Sequence, residues 1–450
     1  MKILRFAAVG VAAALALTAC SSDSDTPSES ASAKPTAGET SAAPEAATIK
    51  LWLNGTDTPQ ALRDYLTTTF ATQNPGSKLV IEQQDWNGLV PRLQTALSSA
   101  DQTPDVVEIG NTQSATFTYA GAFSDLTSLY PELGGDKLLP GFVEAGTADD
   151  KIMAVPYYSG ARAVFYNKDM FEKAGVDIPT TLADFTTVAQ KLTTDKVSGF
   201  WFPGQDWYNG ATWIYTAGGD LAVKDGDQWK GALSSAESMK GLEQVQTLFK
   251  TANHAPADSD SNEPWVPFNQ GKAAMFSAPT WARWSIDLPA CNEGVDPDDK
   301  SDEATAKRTK QQACNEKHTG VFAMPGNAAG EYATAFAGGS NLAIPAKSQH
   351  QELAQNLLKI IFSADFQNML GKNGLIPGNT EYATSMGDDV YAKAAIAAAL
   401  GAKLTPAAEN WATVEGDRTL EDFFQKVASG ADLKTAAAAT DQQISDTLNK

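Results

Sequence analysis

The sequence predicts an α/β fold, and three observations carry that reading. Strand-like and helix-like patterns alternate from about residue 48 onward. The strand-like runs end in short polar loops, as strands of a mostly parallel sheet do. The chain has 450 residues, 42% hydrophobic and 20% charged, which suits a large globular protein with more than one core.

The elements follow in order. TIKLWLNG (48–55) is an apolar strand ending in Asn-Gly, followed by a helix with Leu62, Tyr65, Leu66 and Phe70 on one face. SKLVIEQQDW (77–86) is a second strand, LVPRLQTALSSA a second helix and PDVVEIGN (104–111) a third strand. In an open α/β sheet, ligands gather at loops beyond the carboxyl ends of the strands. Here those loops are Asn54-Gly55-Thr56-Asp57, Asp85-Trp86-Asn87 and Asn111-Thr112-Gln113. A second unit begins near KIMAVPYYSGARAVFYNKDMF and includes helical patterns at 182–193 and 235–252 and the aromatic-rich WFPGQDWYNGATWIYTAGGD (201–220). VFAMPG and AFAGGSNLAIP read as strands. ELAQNLLKIIFSADFQNMLGKNG reads as one long amphipathic helix, and the last sixty residues as Ala-rich helices.

The ends of the chain and its charge restrict the function. Lys2 and Arg5 precede an apolar run, Phe6 to Leu17, too short to span a bilayer permanently. Leu17-Thr18-Ala19-Cys20 looks like the lipobox of bacterial lipoproteins, so residues 1–20 are expected to be an export signal with Cys20 lipidated. Residues 21–47 carry no large apolar side chain and read as a disordered tether reaching roughly 30 Å. A formal net charge of −20 disfavours nucleic acid and anionic lipid, which leaves the lipid anchor as the only expected membrane contact. Cys291 and Cys314 bracket the polar segment GVDPDDKSDEATAKRTKQQ, which could not fold alone. In an exported protein two cysteines most simply pair, and a disulfide here would stabilise by on the order of 3 kcal/mol. His254, His318 and His350 are scattered and there is no CxxC, so no metal and no cofactor is expected. DSDSNE (258–263) lacks the glycine and glutamate of a calcium loop.

Six blocks in order carry a resemblance: PDVVEIGN, VPYYSGARAVFYNKDMFEKAGV, FNQGKAAMFSAPTWA, VFAMPG, FAGGSNLAIP and the helix after it. Over nearly the whole mature chain they resemble the extracellular solute-binding proteins of bacterial ABC sugar importers, the group that includes maltose-binding protein. The resemblance implies a two-lobed periplasmic-binding-protein fold in which each lobe is a mostly parallel sheet flanked by helices. Lobe one would hold 48–160 and 338–385, and lobe two 161–337 and 386–450. The chain would cross between them near Tyr158–Arg162, near Gly338–Asn341 and near 378–390. Gly338-Gly339 suits a hinge on its own account, because glycine absorbs large φ/ψ changes.

A sugar offers hydroxyls at its rim and C–H patches on its faces, so its site needs planar polar side chains and aromatic rings. The residues expected to contact ligand are Asn54, Asp85 and Trp86 on the first loops, and Asn111, Thr112 and Gln113 after the third strand. Tyr158 and Arg162 stand at the first crossover, Trp207, Tyr208 and Trp213 in the aromatic-rich segment, and Gly339, Ser340 and Asn341 at the second crossover. Trp411 lies in ENWATVEGD. Trp281 occupies the family's sugar-stacking position, and Trp284 lies roughly one helical turn on. Each has a plainer rival: Asn111 to Gln113 could cap a helix, Arg162 could pair with a carboxylate, and Trp213 and Trp284 could be core. The resemblance implies a monomer that captures a di- or oligosaccharide and hands it to the transmembrane subunits of an ABC permease. A lipid-anchored glycosidase or esterase, which would need a pair of carboxylates across the cleft, and a surface sensor or adhesin remain as alternatives.

Overall fold

The computed structural model describes residues 44–86, 88–296, 299 and 301–450. The export signal, Cys20 and the tether up to residue 43 lie outside the described residues. Pro44–Ala47, assigned to the tether, are within them, and Ala47 is tied to the sheet edge through Lys78 N–H to its carbonyl at 2.9 Å. Among the described residues no helix is long and apolar enough to cross a membrane.

Strand β1 (Thr48–Asn54) leads through α1 (Gln60–Gln73) to β2 (Lys78–Gln84), then through α2 (Leu89–Leu97) to β3 (Val106–Gly110) and α3 (Asn111–Tyr119). β2 and β3 flank β1 on opposite sides, both parallel to it. The order of strand addition therefore reverses at β1, which opens a crevice beyond the carboxyl ends of β1 and β3. Both faces of this sheet are covered. Ile49, Leu51 and Leu53 pack with Leu62, Leu66 and Phe70 of α1, while Trp52 packs with Leu89 and Leu93 of α2. Each such fully buried Leu or Phe contributes ~1.5–3 kcal/mol.

After β4 (Ala154–Ser159) the chain leaves this sheet at Gly160-Ala161 and enters a second one as β5 (Arg162–Asn167). There β5 lies between β6 (Met275–Pro279) and β7 (Thr319–Phe322). The chain returns to the first sheet as β8 (Gly339–Ala343), which inserts between β3 and β4, and ends there with β9 (Ile376–Pro377). The six-stranded order is thus β9-β4-β8-β3-β1-β2. It departs again after the 3-10 turn Thr380–Met386, through Gly387, into a helix at Val390–Leu400 packed on β5 and β7. The expectation of mostly parallel sheets needs correcting. β8 runs antiparallel to both neighbours, β9 is antiparallel to β4, and both ladders of the three-stranded sheet are antiparallel. Local β-α-β crossovers give parallel pairs; strands that come back from the other sheet need not.

Two further elements differ. The segment after β8 is two helices, Gln351–Ile361 and Ala364–Lys372, because the Ser363 hydroxyl accepts from Phe366 N–H and caps a new start. The polar segment between the cysteines is largely a helix, Asp302–His318, capped by Ser301. The Cys291 and Cys314 sulfurs lie at bonding distance, 1.95 Å, with Cα atoms 5.5 Å apart.

The two crossovers at 160 and 338 are hydrogen-bonded to each other, Gly160 N–H to the Gly338 carbonyl at 2.9 Å. Gly339 has φ +131°, and a Cβ there would stand 2.3 Å from the Tyr158 carbonyl. Replacing Gly339 by Ala is expected to cost about 1–3 kcal/mol through backbone strain and that clash. Thermal unfolding followed by circular dichroism checks it, and an unchanged midpoint would refute the strain.

Candidate functional site

A cavity of about 200 Å³ opens where the two sheets face each other, at the crevice beyond β1 and β3. From the first-sheet side it is lined by Asp57, Trp86 and Asn111 to Gln113 at the start of α3. Tyr158, Gly160, Arg162, Gly338 and Gly339 form its hinge wall, and Tyr208, Trp281 and Phe336 face it from the second unit.

The first wall is held by Asp57. Its Oδ2 accepts from Trp86 Nε1–H at 3.0 Å and from the Tyr158 hydroxyl at 3.1 Å. Burial pushes the Asp57 carboxyl above its ordinary range, against the pull of these two donors. Arg63 on α1 donates to the carbonyls of Gly55 and Thr58, which fixes the loop. Gly55 has φ +53°, and the Trp86 indole lies 3.0 Å from where its Cβ would be, so a side chain there would displace the ring.

Beneath the cavity Glu108 of β3 is fully buried. It accepts from the Ser340 hydroxyl at 2.5 Å and from Asn54 N–H at 2.7 Å. Burial outweighs those bonds and raises its pKa to about 7.

The second-unit wall is aromatic. Tyr208 packs against Trp207 with ring centres 4.2 Å apart and planes tilted by 32°, and its ring centre lies 5.0 Å from that of Phe336. The Arg162 guanidinium sits 5.4 Å from its ring centre. Trp281 meets the edge of Trp265 at 5.7 Å, which fixes its ring plane. Behind the lining, Glu415 on the helix Trp411–Gly416 accepts from Thr112 Oγ1–H at 2.9 Å and Gln113 Nε2–H at 2.6 Å. One buried carboxylate therefore ties the start of α3 to that helix. Burial is the chief reason its pKa rises to about 7.

Of the residues expected at the site, the structure brings Trp86, Asn111, Thr112, Gln113, Tyr158, Arg162, Tyr208, Trp281 and Gly339 to the cavity. It places the others elsewhere. Asn54, Ser340 and Asn341 are buried in the sheet, their side chains spent on the Glu108 carbonyl, the Glu108 carboxylate and the Phe142 carbonyl. Asp85 lies before Trp86 but is not part of the lining. Trp207, Trp213 and Trp411 are core residues of the second unit, at most 1% exposed. Trp213 packs among Phe185, Phe200 and Phe202, because the helix Trp207–Thr216 is buried nearly all round. Trp284 is 56% exposed and faces a different groove. Asp57, Phe336 and Glu415 join the site unforeseen. Asp57 stood in a loop already marked by position. Glu415 had only its place one turn after Trp411.

This arrangement of ring faces, amides, a guanidinium and one lining carboxylate, set between two sheets joined by hinge strands, matches the comparisons with known proteins. The profile of the bacterial extracellular solute-binding proteins matches residues 54–368. The chain belongs to this family. It is 31% identical, over 100% of its length and 99% of the relative's, to the diacetylchitobiose-binding protein of Streptomyces coelicolor. Its fold superposes on the GacH receptor of Streptomyces glaucescens, solved unliganded and with acarbose, with a TM-score of 0.74, 22% identity and coverage of 90% and 99% of the two chains. The sugar-binding protein MalE of Xanthomonas citri gives 0.72 at 20% identity, covering 89% and 97%. The fold is therefore the two-lobed one of this family, and its named relatives are binding proteins.

The raised pKa of Glu415 has a stability consequence. Below its ordinary value of 4.5 both folded and unfolded chains hold the proton. Between 4.5 and about 7 the unfolded chain has released it and the native protein has not, so stability falls through that window as pH rises. Glu415→Gln removes this contribution. The drop in melting temperature from about pH 5 to about pH 8 is expected to be smaller in the variant than in the parent. An equal drop in both would contradict the assignment.

Proposed function

We propose that this protein is the carbohydrate-capturing component of an ABC importer, closing on a di- or oligosaccharide between its lobes and presenting it to a membrane permease. The observation that carries this is the cavity itself. Trp86, Tyr208 and Trp281, on three separate elements, offer ring faces, while Asn111, Gln113 and Arg162 offer planar polar edges. That is the complement of a pyranose, apolar on its faces and hydroxylated at its rim.

The full-length relative that binds diacetylchitobiose points to an N-acetylated amino-sugar disaccharide as the first ligand class to try. The lobes are 48–160 with 338–385 and 161–337 with 386–450, moving about the knitted glycines at 160 and 338. Closure is a population shift, since a sugar touching both walls binds the shut form better. A binding role rather than hydrolysis is supported by the lining, where Asp57 is the one carboxylate and is already engaged by two donors. Export with lipidation at Cys20, a Cys291–Cys314 disulfide and a monomeric state complete the proposal.

A thermal-shift panel of N-acetylchitobiose, maltose, cellobiose and xylobiose tests it. A ligand at 100 times its Kd adds ~2.7 kcal/mol of stability. The cognate sugar is expected to raise the melting temperature and to remain chemically intact after long incubation. Trp281→Ala should weaken its binding by about tenfold or more, which is about 1.4 kcal/mol. No response to any sugar would sink the reading; cleavage of the sugar would replace it with an enzyme.

A further inference from the structure

Trp284 is the most exposed tryptophan among the large apolar side chains on the described surface, and nothing in the cleft accounts for it. Its ring is held in place. The Arg283 guanidinium lies 4.3 Å from the indole centre, and that guanidinium is bonded to Asp389 at 2.9 Å and lies 5.2 Å from the Tyr391 ring. The Arg283 side chain is only 16% exposed. One face of the indole thus rests on an anchored, partly buried cation and the ring stays open to solvent, an arrangement that costs hydrophobic free energy and fixes orientation.

The indole borders a groove of about 620 Å³ distinct from the cleft. Its opposite wall is the helix Asp302–His318, which presents Arg308, Thr309, Gln311 and Gln312. That helix is fastened at its far end by the Cys291–Cys314 pair and along its length by Asn315, whose amide is bonded to Ile286 and Leu288 backbone. The aromatic plate is faced by amides, a hydroxyl, a guanidinium and the Glu316 carboxylate, with Gln311 held by Asp287, Gln312 by Glu316 and Arg308 by the Asp296 and Asp299 carbonyls. Ile286 is the one other large apolar side chain in the groove's lining. The 3-10 turn Thr280–Ser285 carries both tryptophans. With three residues and ~6 Å per turn, Trp284 stands one turn beyond Trp281.

We infer that Trp284 and the facing helix form a second, outer carbohydrate site that stacks a pyranose of a longer glycan while the cleft holds the transported sugar. The inference rests on the proposed sugar-binding role, yet it can fail separately. Native electrophoresis through gels containing neutral soluble glycans (glycol chitin, starch or xylan) reads it directly. The net charge of −20 drives migration, and neutral matrices exclude electrostatic retardation. Trp281→Ala, which cripples the cleft, is the background. On that background at least one glycan is expected to retard the protein. Adding Trp284→Ala is expected to abolish the retardation, and Trp284→Phe to keep part of it. Trp284→Ala alone should leave disaccharide affinity unchanged, because the ring lies outside the cleft. Equal retardation with and without Trp284, or no retardation by any glycan, overturns the outer site and leaves Trp284 to a protein contact. Loss of the disaccharide response in the parent would instead sink the cleft.

Discussion

The hydrogen bond from Gly160 N–H to the Gly338 carbonyl ties together two of the passages by which the chain moves between its sheets. The rest of the site depends on that seam. It forces β4 and β8 to lie side by side at their ends, with Gly339 opposite Ser159. This puts Tyr158 at the end of β4, Arg162 at the start of β5 and Gly339 at the start of β8 around one small volume. No side chain could stand at 339 without meeting the Tyr158 carbonyl, so glycine is a condition of the seam and not an ornament of it.

Above the seam the cavity is governed by carboxylates removed from water. Asp57, Glu108 and Glu415 all have raised pKa values, and burial is the leading cause for each. Each is compensated differently. Asp57 receives an indole and a phenol, Glu108 a hydroxyl and a backbone amide, and Glu415 a threonine and a glutamine from the start of α3. The acids are thus spacers that orient their donors. They hold Trp86, Tyr158, Ser340, Thr112 and Gln113 in single positions before any ligand arrives, which lowers the ordering cost of binding. Glu415 does this from a helix some three hundred residues further along the chain.

The fold was largely legible because its signals are local. Apolar spacing in Leu62, Leu66 and Phe70, and strands ending at polar loops, depend on neighbours within a few residues. Strand direction was not legible, because β8 and β9 owe their pairing to contacts more than a hundred residues away. The site divides the same way. Residues just beyond β1, β2 and β3, and those at the first crossover, follow from topology. Asn54 at the carboxyl end of β1, and Ser340 and Asn341 at the start of β8, lie equally close to the cavity, yet their amides and hydroxyl turn into the sheet. Which way a strand-end side chain turns is decided by a partner, Glu108 or the Phe142 carbonyl, that sequence does not bring near.

The tryptophans show why aromatic content alone misleads. Trp207 and Trp411 sit in family-like segments and are fully buried, but neither is an idle filler. Trp207 backs Tyr208, and Trp411 backs the acid that reaches Thr112 and Gln113. Their influence on a ligand is therefore positional. Trp86 and Trp281 differ in that each is positioned by one contact, the Asp57 carboxylate or the Trp265 ring, and still lines the cavity. What separates a stacking tryptophan from a core tryptophan in this protein is which part of the ring the protein claims.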